Sequence, residues 1–150
     1  QRDMIPIYNR HLTQLTELLP GALVAIRQLR AAGVKLGIVT NKPQAATREV
    51  LLHFGLFEEF GAIIGGDAVS RKKPAPEPLF LALEQLEVKG ADAVMVGDST
   101  TDVEAARNAS LPAIVIRGGY SKVPVEELGA DVVLDSLADL PAALQRRQPP

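Results

Sequence analysis

The 150-residue chain has no cysteine. That excludes a disulfide framework, a thiolate zinc site and a cysteine nucleophile, and it is compatible with a reducing, cytoplasmic setting. No apolar run approaches the roughly 18 residues of a membrane-spanning helix. The opening QRDMIPIYNRH lacks the charged-then-apolar order of a signal peptide, so the chain reads as soluble and unanchored. There is no basic stripe: 16 Lys and Arg against 18 Asp and Glu leave a formal net charge of -2. Neither a nucleic-acid backbone nor an anionic membrane is therefore an expected partner. G-x-G-x-x-G, Walker, G-x-S-x-G and H-E-x-x-H patterns are absent, which removes the usual support for dinucleotide, NTP, serine-hydrolase and zincin sites. Internal repeats are missing too. What is present is an ordinary globular composition, 47% hydrophobic and 23% charged, long enough to bury one core.

Five short runs rich in Val and Ile recur along the chain: VKLGIVT (34–40), GAIIGG (61–66), AVMVG (93–97), PAIVI (112–116) and DVVL (131–134). Their length and continuous apolarity predict buried parallel strands. Between them, residues 22–32, 44–54, 77–86 and 101–109 carry helical apolar spacing. Leu79, Leu83 and Leu86 form one core-facing stripe. This alternation predicts an α/β fold, a parallel sheet in a three-layer arrangement with helices on both faces. Residues 1–19 carry Ile5, Leu12, Leu15 and Leu19 and predict one amphipathic helix with no strand before it, ended by Pro20-Gly21. The segment KKPAPEP (72–78) predicts a loop, because its prolines forbid regular hydrogen bonding, and the tail QRRQPP is expected to fray.

Ligands in open parallel sheets bind beyond the carboxyl ends of the strands. The residues there are Thr40-Asn41-Lys42, Gly66-Asp67 with Lys72 and Lys73 after it, Gly97-Asp98-Ser99, and Arg117-Gly118-Gly119-Tyr120. Together they suit a phosphate and a divalent cation. Thr40 can donate its hydroxyl to a phosphoryl oxygen, and backbone N–H groups around Asn41 add neutral donors. Lys73 supplies a compact positive charge. Asp98 is a hard oxygen ligand at a strand end, and Asp102, one helical turn on, can reach the same ion or its waters. Magnesium is the expected ion, with manganese able to substitute. Each element also has a structural alternative: Thr40 and Asn41 as turn residues, Lys73 as a solvated cation, Asp98 and Asp102 as helix-capping carboxylates. His11 and His53 have no partner at ligand spacing and read as surface or boundary residues. Gly118, Gly119 and Tyr120 form either a substrate-facing loop or a simple turn.

The stretches LGIVTNK, KKPAPEP and VMVGDSTTD, in that order, resemble the second, third and fourth motifs of the haloacid dehalogenase superfamily, and of its phosphoglycolate phosphatase branch in particular. GGYSKVPVEELGADVVLDSLADLP adds to the likeness, which runs from about residue 20 to about residue 141. The resemblance implies a Rossmann-like core, a phosphate-binding Thr40, a charge-stabilising Lys73, and magnesium held by Asp98 and Asp102. It also implies a first motif, D-x-D-x-T, on the opening strand, whose aspartates would attack phosphorus and act as acid and base. That motif is absent from the 150 residues. Residues 1–19 are accordingly expected to be the end of a helical cap, and residues 20–150 the core without its first strand and most of the cap. That first strand lies mid-sheet in the family, so its slot is expected to stand open, giving marginal stability, a rearranged sheet, or completion by a missing N-terminal segment or a second chain.

Three functions follow as alternatives. One is the core of a magnesium-dependent phosphomonoesterase for a small phosphorylated acid, inactive alone. Another is a non-catalytic phosphate-binding or interaction module, or one half of a split phosphatase. A phosphoacceptor receiver domain is disfavoured by motif order, since a receiver needs its acidic pair first and its lysine last.

Overall fold

The computed structural model describes residues 5–8, 22–117 and 129–147. In chain order the elements are β1 (Ile5–Tyr8), α1 (Ala22–Ala31), β2 (Gly37–Val39), α2 (Gln44–His53), β3 (Ala62–Ile64), α3 (Glu77–Leu86), β4 (Ala93–Gly97), α4 (Thr100–Asn108), β5 (Ala113–Ile116), β6 (Val132–Leu134) and α5 (Leu140–Arg147). The strands lie in the order β3-β2-β1-β4-β5-β6, and every neighbouring pair is parallel. The five expected strands and four expected helices are all present, with ends trimmed by a few residues.

Successive residues of a strand face opposite sides of a sheet, and that alternation divides the core into two layers. Val94 and Val96 of β4 and Ile114 and Ile116 of β5 pack with Ile26 and Leu29 of α1, Leu51 of α2 and Leu144 of α5. Ala93 and Met95, with Ala113 and Val115, pack instead with Leu79, Leu83 and Leu86 of α3 and Val103 and Ala106 of α4. Burial on both faces accounts for strands that are apolar throughout rather than alternating.

The expected open slot is closed. β1 lies between β2 and β4, with Ile5, Pro6, Ile7 and Tyr8 opposite Ala93, Val94, Met95 and Val96. Ile7 and Tyr8 also face Gly37 and Ile38 of β2. Residues 5–8 are therefore strand, not helix. The physical reason is that β2 and β4 present backbone groups that need partners, and a segment of strand-favouring Ile and Tyr supplies them. Pro6 is a poor occupant, because it brings no N–H to the ladder and prolines seldom lie in central strands. The remainder of the expected N-terminal helix, His11 included, and the candidate turn Gly118-Gly119-Tyr120 lie outside the described residues.

The C-terminal part also differs from expectation. Residues 145–147, expected to fray, complete α5, whose Leu140 and Leu144 are buried together with Leu137 just before it. Pro141 falls in the first turn, where a missing N–H costs nothing. Among the described residues no helix is long and apolar enough to cross a membrane.

Candidate functional site

Thr40, Lys73, Asp98 and Asp102 are buried, at 4%, 6%, 1% and 1% exposure. Two of them sit directly at strand ends and two nearby. Thr40 follows β2, Asp98 follows β4, and Asp102 lies in the first turn of α4. Lys73 comes from the proline-rich loop ahead of α3. Burying an ammonium and a carboxylate is costly unless they meet one another, and Lys73 and Asp102 do. Lys73 Nζ donates to Asp102 Oδ1 at 3.0 Å and to the carbonyl of Val39 at 3.3 Å. Asp102 Oδ2 accepts the backbone N–H of Asp98 at 2.9 Å and the hydroxyl of Ser99 at 3.1 Å. Burial pushes the Lys73 ammonium below the usual lysine range, with the charges of Asp102 and Asp98 pulling the other way.

Capping and functional placement of Asp102 thus coincide: the carboxylate reaches back to the N–H of Asp98, beside the start of α4, and grips Lys73 with its other oxygen. The close fit requires glycine at position 97, because a Cβ there would overlap the Asp102 carboxylate. Thr40 Oγ1 accepts the N–H of Lys42 at 3.1 Å, which leaves its proton to donate outward. The side chain of Asn41 is engaged elsewhere. Its Nδ2 donates to the carbonyl of Lys73 and its Oδ1 accepts the Lys73 N–H, both at 3.2 Å.

Asp67, already expected at a strand end, and Gln44, which the sequence did not single out, build the site's frame. Pro43 precedes α2 and has no side-chain donor or acceptor to cap it; Asp67, just after β3, supplies the missing acceptor to Gln44 N at 2.8 Å. Gln44 in turn donates to the carbonyl of Ile63 at 2.6 Å. Gly66 lies so close to the carbonyl of Asn41 that any Cβ would overlap it. A helix opening on proline was the available sequence signal for an acceptor from a distant loop.

For a divalent cation, one buried ammonium stands against two buried carboxylates, an excess of negative charge that a cation balances. Asp98 offers a hard oxygen ligand. Asp102, with both oxygens engaged, suits the anchoring of Lys73 or contact through water better than direct ligation. Among the described residues no three His, Cys, Asp or Glu side chains are grouped to hold an ion by themselves. The donor set therefore fits magnesium, which takes one or two carboxylates and fills its other positions with water and substrate oxygens.

The model of the family described as haloacid dehalogenase-like hydrolase matches residues 1–116. A phosphoglycolate phosphatase of Rhodospirillum rubrum is 44% identical over 121 residues, covering 81% of this chain and 50% of the relative. A plasmid-encoded phosphoglycolate phosphatase of Cupriavidus necator is 39% identical over 147 residues, covering 95% of this chain and 64% of the relative. The structure of CbbY from Rhodobacter sphaeroides in complex with phosphate superposes with a TM-score of 0.76 at 34% identity, covering 89% of this chain and 63% of that one. The chain thus spans half to just under two thirds of the length of these relatives.

Proposed function

The chain belongs to the haloacid dehalogenase-like hydrolase family, and from that membership we propose that it is the phosphoryl-binding core of a magnesium-dependent phosphomonoesterase. In its intact form the enzyme acts on a small phosphorylated acid such as 2-phosphoglycolate. The observation that carries this reading is the burial of Thr40, Lys73, Asp98 and Asp102 at or just beyond the carboxyl ends of the strands, with Lys73 Nζ 3.0 Å from Asp102 Oδ1. Curated relatives that hydrolyse phosphoglycolate by name support the substrate class.

In this reading the Thr40 hydroxyl and the Asn41 N–H donate to phosphoryl oxygens, and Lys73 sets a fixed charge against them. Burial makes that charge count for more than it would in water. Asp98 would hold magnesium, which supplies charge neutralisation to the transferring phosphoryl group. Asp102 keeps Lys73 in place. The nucleophile and the acid-base group belong to the D-x-D-x-T motif, which would form an aspartyl phosphate in the intact parent. The residues after β1 are Asn9, Arg10 and His11, none of them a carboxylate. In this reading the 150-residue chain is inactive by itself.

The test is phosphate release from 2-phosphoglycolate with magnesium, run on the chain, on its Asp98→Asn variant, and on the chain mixed with an apolar peptide carrying D-x-D-x-T. Release only with the peptide, and only with Asp98 intact, is the expected result. Asp98-dependent turnover by the chain alone would mean that another residue attacks phosphorus.

A second reading, one half of a split phosphatase, is favoured by Pro6 in the middle of the sheet. A strand with a full set of N–H donors would pair better between β2 and β4 and could displace β1. Peptide binding without turnover would instead leave a phosphate-binding module.

A further inference from the structure

Asn41 has been considered so far for its backbone N–H, but its side chain points to a different task. The carboxamide makes a two-point pairing with the backbone of Lys73, donating to its carbonyl and accepting from its N–H, at 3.2 Å each. The residues are 32 apart in sequence, so the pairing joins two loops rather than closing one turn. It copies what a neighbouring strand would offer: one acceptor and one donor held side by side.

The rest of the Lys73 loop is fastened differently. The carbonyl of Pro74 accepts from Asn108 at 2.9 Å, and Arg71 meets Glu77 at 3.1 Å on the surface. Neither contact touches the backbone of Lys73. Its side chain meanwhile runs inward to the Val39 carbonyl and Asp102. Lys73 is thus held at two ends: the ammonium by β2 and α4, the backbone by Asn41. Since Asn41 directly follows Thr40, the clamp sets the spacing between the phosphate-facing hydroxyl and the phosphate-facing ammonium.

We propose that Asn41 is a positioning residue whose carboxamide fixes the backbone of Lys73, and so the place of its ammonium relative to Thr40. The chemistry is selective. Aspartate keeps the acceptor for the Lys73 N–H but opposes the Lys73 carbonyl with a second oxygen. Alanine and leucine keep neither bond.

The proposal deepens the phosphoryl-binding reading, and two measurements separate the fates of the two. The first is hydrogen exchange of the Lys73 amide by NMR in the full chain. Asn41→Ala should speed that exchange at least tenfold while amides in β4 and β5 keep their protection; Asn41→Asp should preserve most of the protection at Lys73. The second is titration with inorganic phosphate in the presence of magnesium. Asn41→Ala should weaken binding about tenfold, the size expected for losing two ordinary hydrogen bonds of positioning. Ile26→Val, a mild core change on α1 away from the site, should leave phosphate affinity unchanged, which separates positioning from general stability.

Unchanged Lys73 exchange in Asn41→Ala would overturn the clamp. Faster exchange with unchanged phosphate affinity would overturn the positioning role. If the wild-type chain binds no phosphate, the functional reading fails, and the exchange of Lys73 alone then decides whether the clamp exists.

Discussion

Asp102 answers to three donors at once, and its removal is the sharpest way to probe the site. Asp102→Ala strands the Lys73 ammonium and takes the acceptor from the Asp98 N–H and the Ser99 hydroxyl. The side chains of Lys73 and Asp102 are 3% and 2% exposed, so water offers little compensation. Removing one partner of a buried pair costs about 3–5 kcal/mol, a large share of the roughly 5–15 kcal/mol that holds a domain together. With a urea m-value of about 2 kcal/mol/M, the unfolding midpoint should fall by about 2 M. Lys73→Met combined with Asp102→Ala should cost less than the sum of the single changes, because neither member of the ion pair is then left buried without the other. The coupling between two residues in contact is on the order of 0.5–3 kcal/mol. A midpoint shift below about 0.5 M for Asp102→Ala, or strict additivity of the two changes, would refute the buried pair.

Three more outcomes follow from single features. Gly97→Ala forces a Cβ into the Asp102 carboxylate and should destabilise by about 1–3 kcal/mol, read by urea unfolding; a neutral result would contradict the placement of Asp102. Pro6→Val restores an N–H to the central strand and should stabilise by about 1 kcal/mol, raising the melting temperature by about 2–4 °C. An unchanged melting point would argue against β1 as the occupant of the slot. Burial lowers the ionisation of Lys73 below 10.5, so on raising the pH the folded chain gives up this proton before the unfolded chain does. Between the lowered value and 10.5 the unfolded state binds more protons, and stability rises with pH. Wild type should therefore gain on Lys73→Met as alkaline pH approaches 10.5; a difference that shrinks over that window would overturn the direction.

The layered sheet was legible because burial on both faces writes itself as continuous Val and Ile runs, and each of the five runs became a strand. The gathering of Thr40, Lys73, Asp98 and Asp102 was legible for a related reason: Thr40 and Asp98 directly follow such runs, Asp102 lies one helical turn on, and Lys73 sits in the proline-rich loop between β3 and α3. What sequence left hidden is pairing at a distance. Nothing local in QRDMIPIYNRH distinguishes a strand from one turn of an amphipathic helix, and the decision was made by the unpaired edges of β2 and β4. The clamp from Asn41 to Lys73 and the cap that Asp67 gives Gln44 span 32 and 23 residues. α5 was obscured because Pro141 reads as a breaker until its position in the first turn is known.

The polar network also has a direction that bears on function. Its bonds run from the β2 end through Asn41 to the Lys73 loop, from Lys73 to Asp102, and from Asp102 to the β4 end. None of these bonds involves β1. The groups proposed to hold a phosphoryl oxygen and a cation should therefore assemble whichever strand fills the middle of the sheet, whereas the groups proposed to break the bond would have to arrive on that strand. Binding and turnover should then be separable: supplying a central strand that carries D-x-D-x-T should raise the rate of phosphate release without rebuilding the site. If supplying a better strand abolished phosphate binding instead, the two halves would have to be built together, and the division of labour across the strand edge would be wrong.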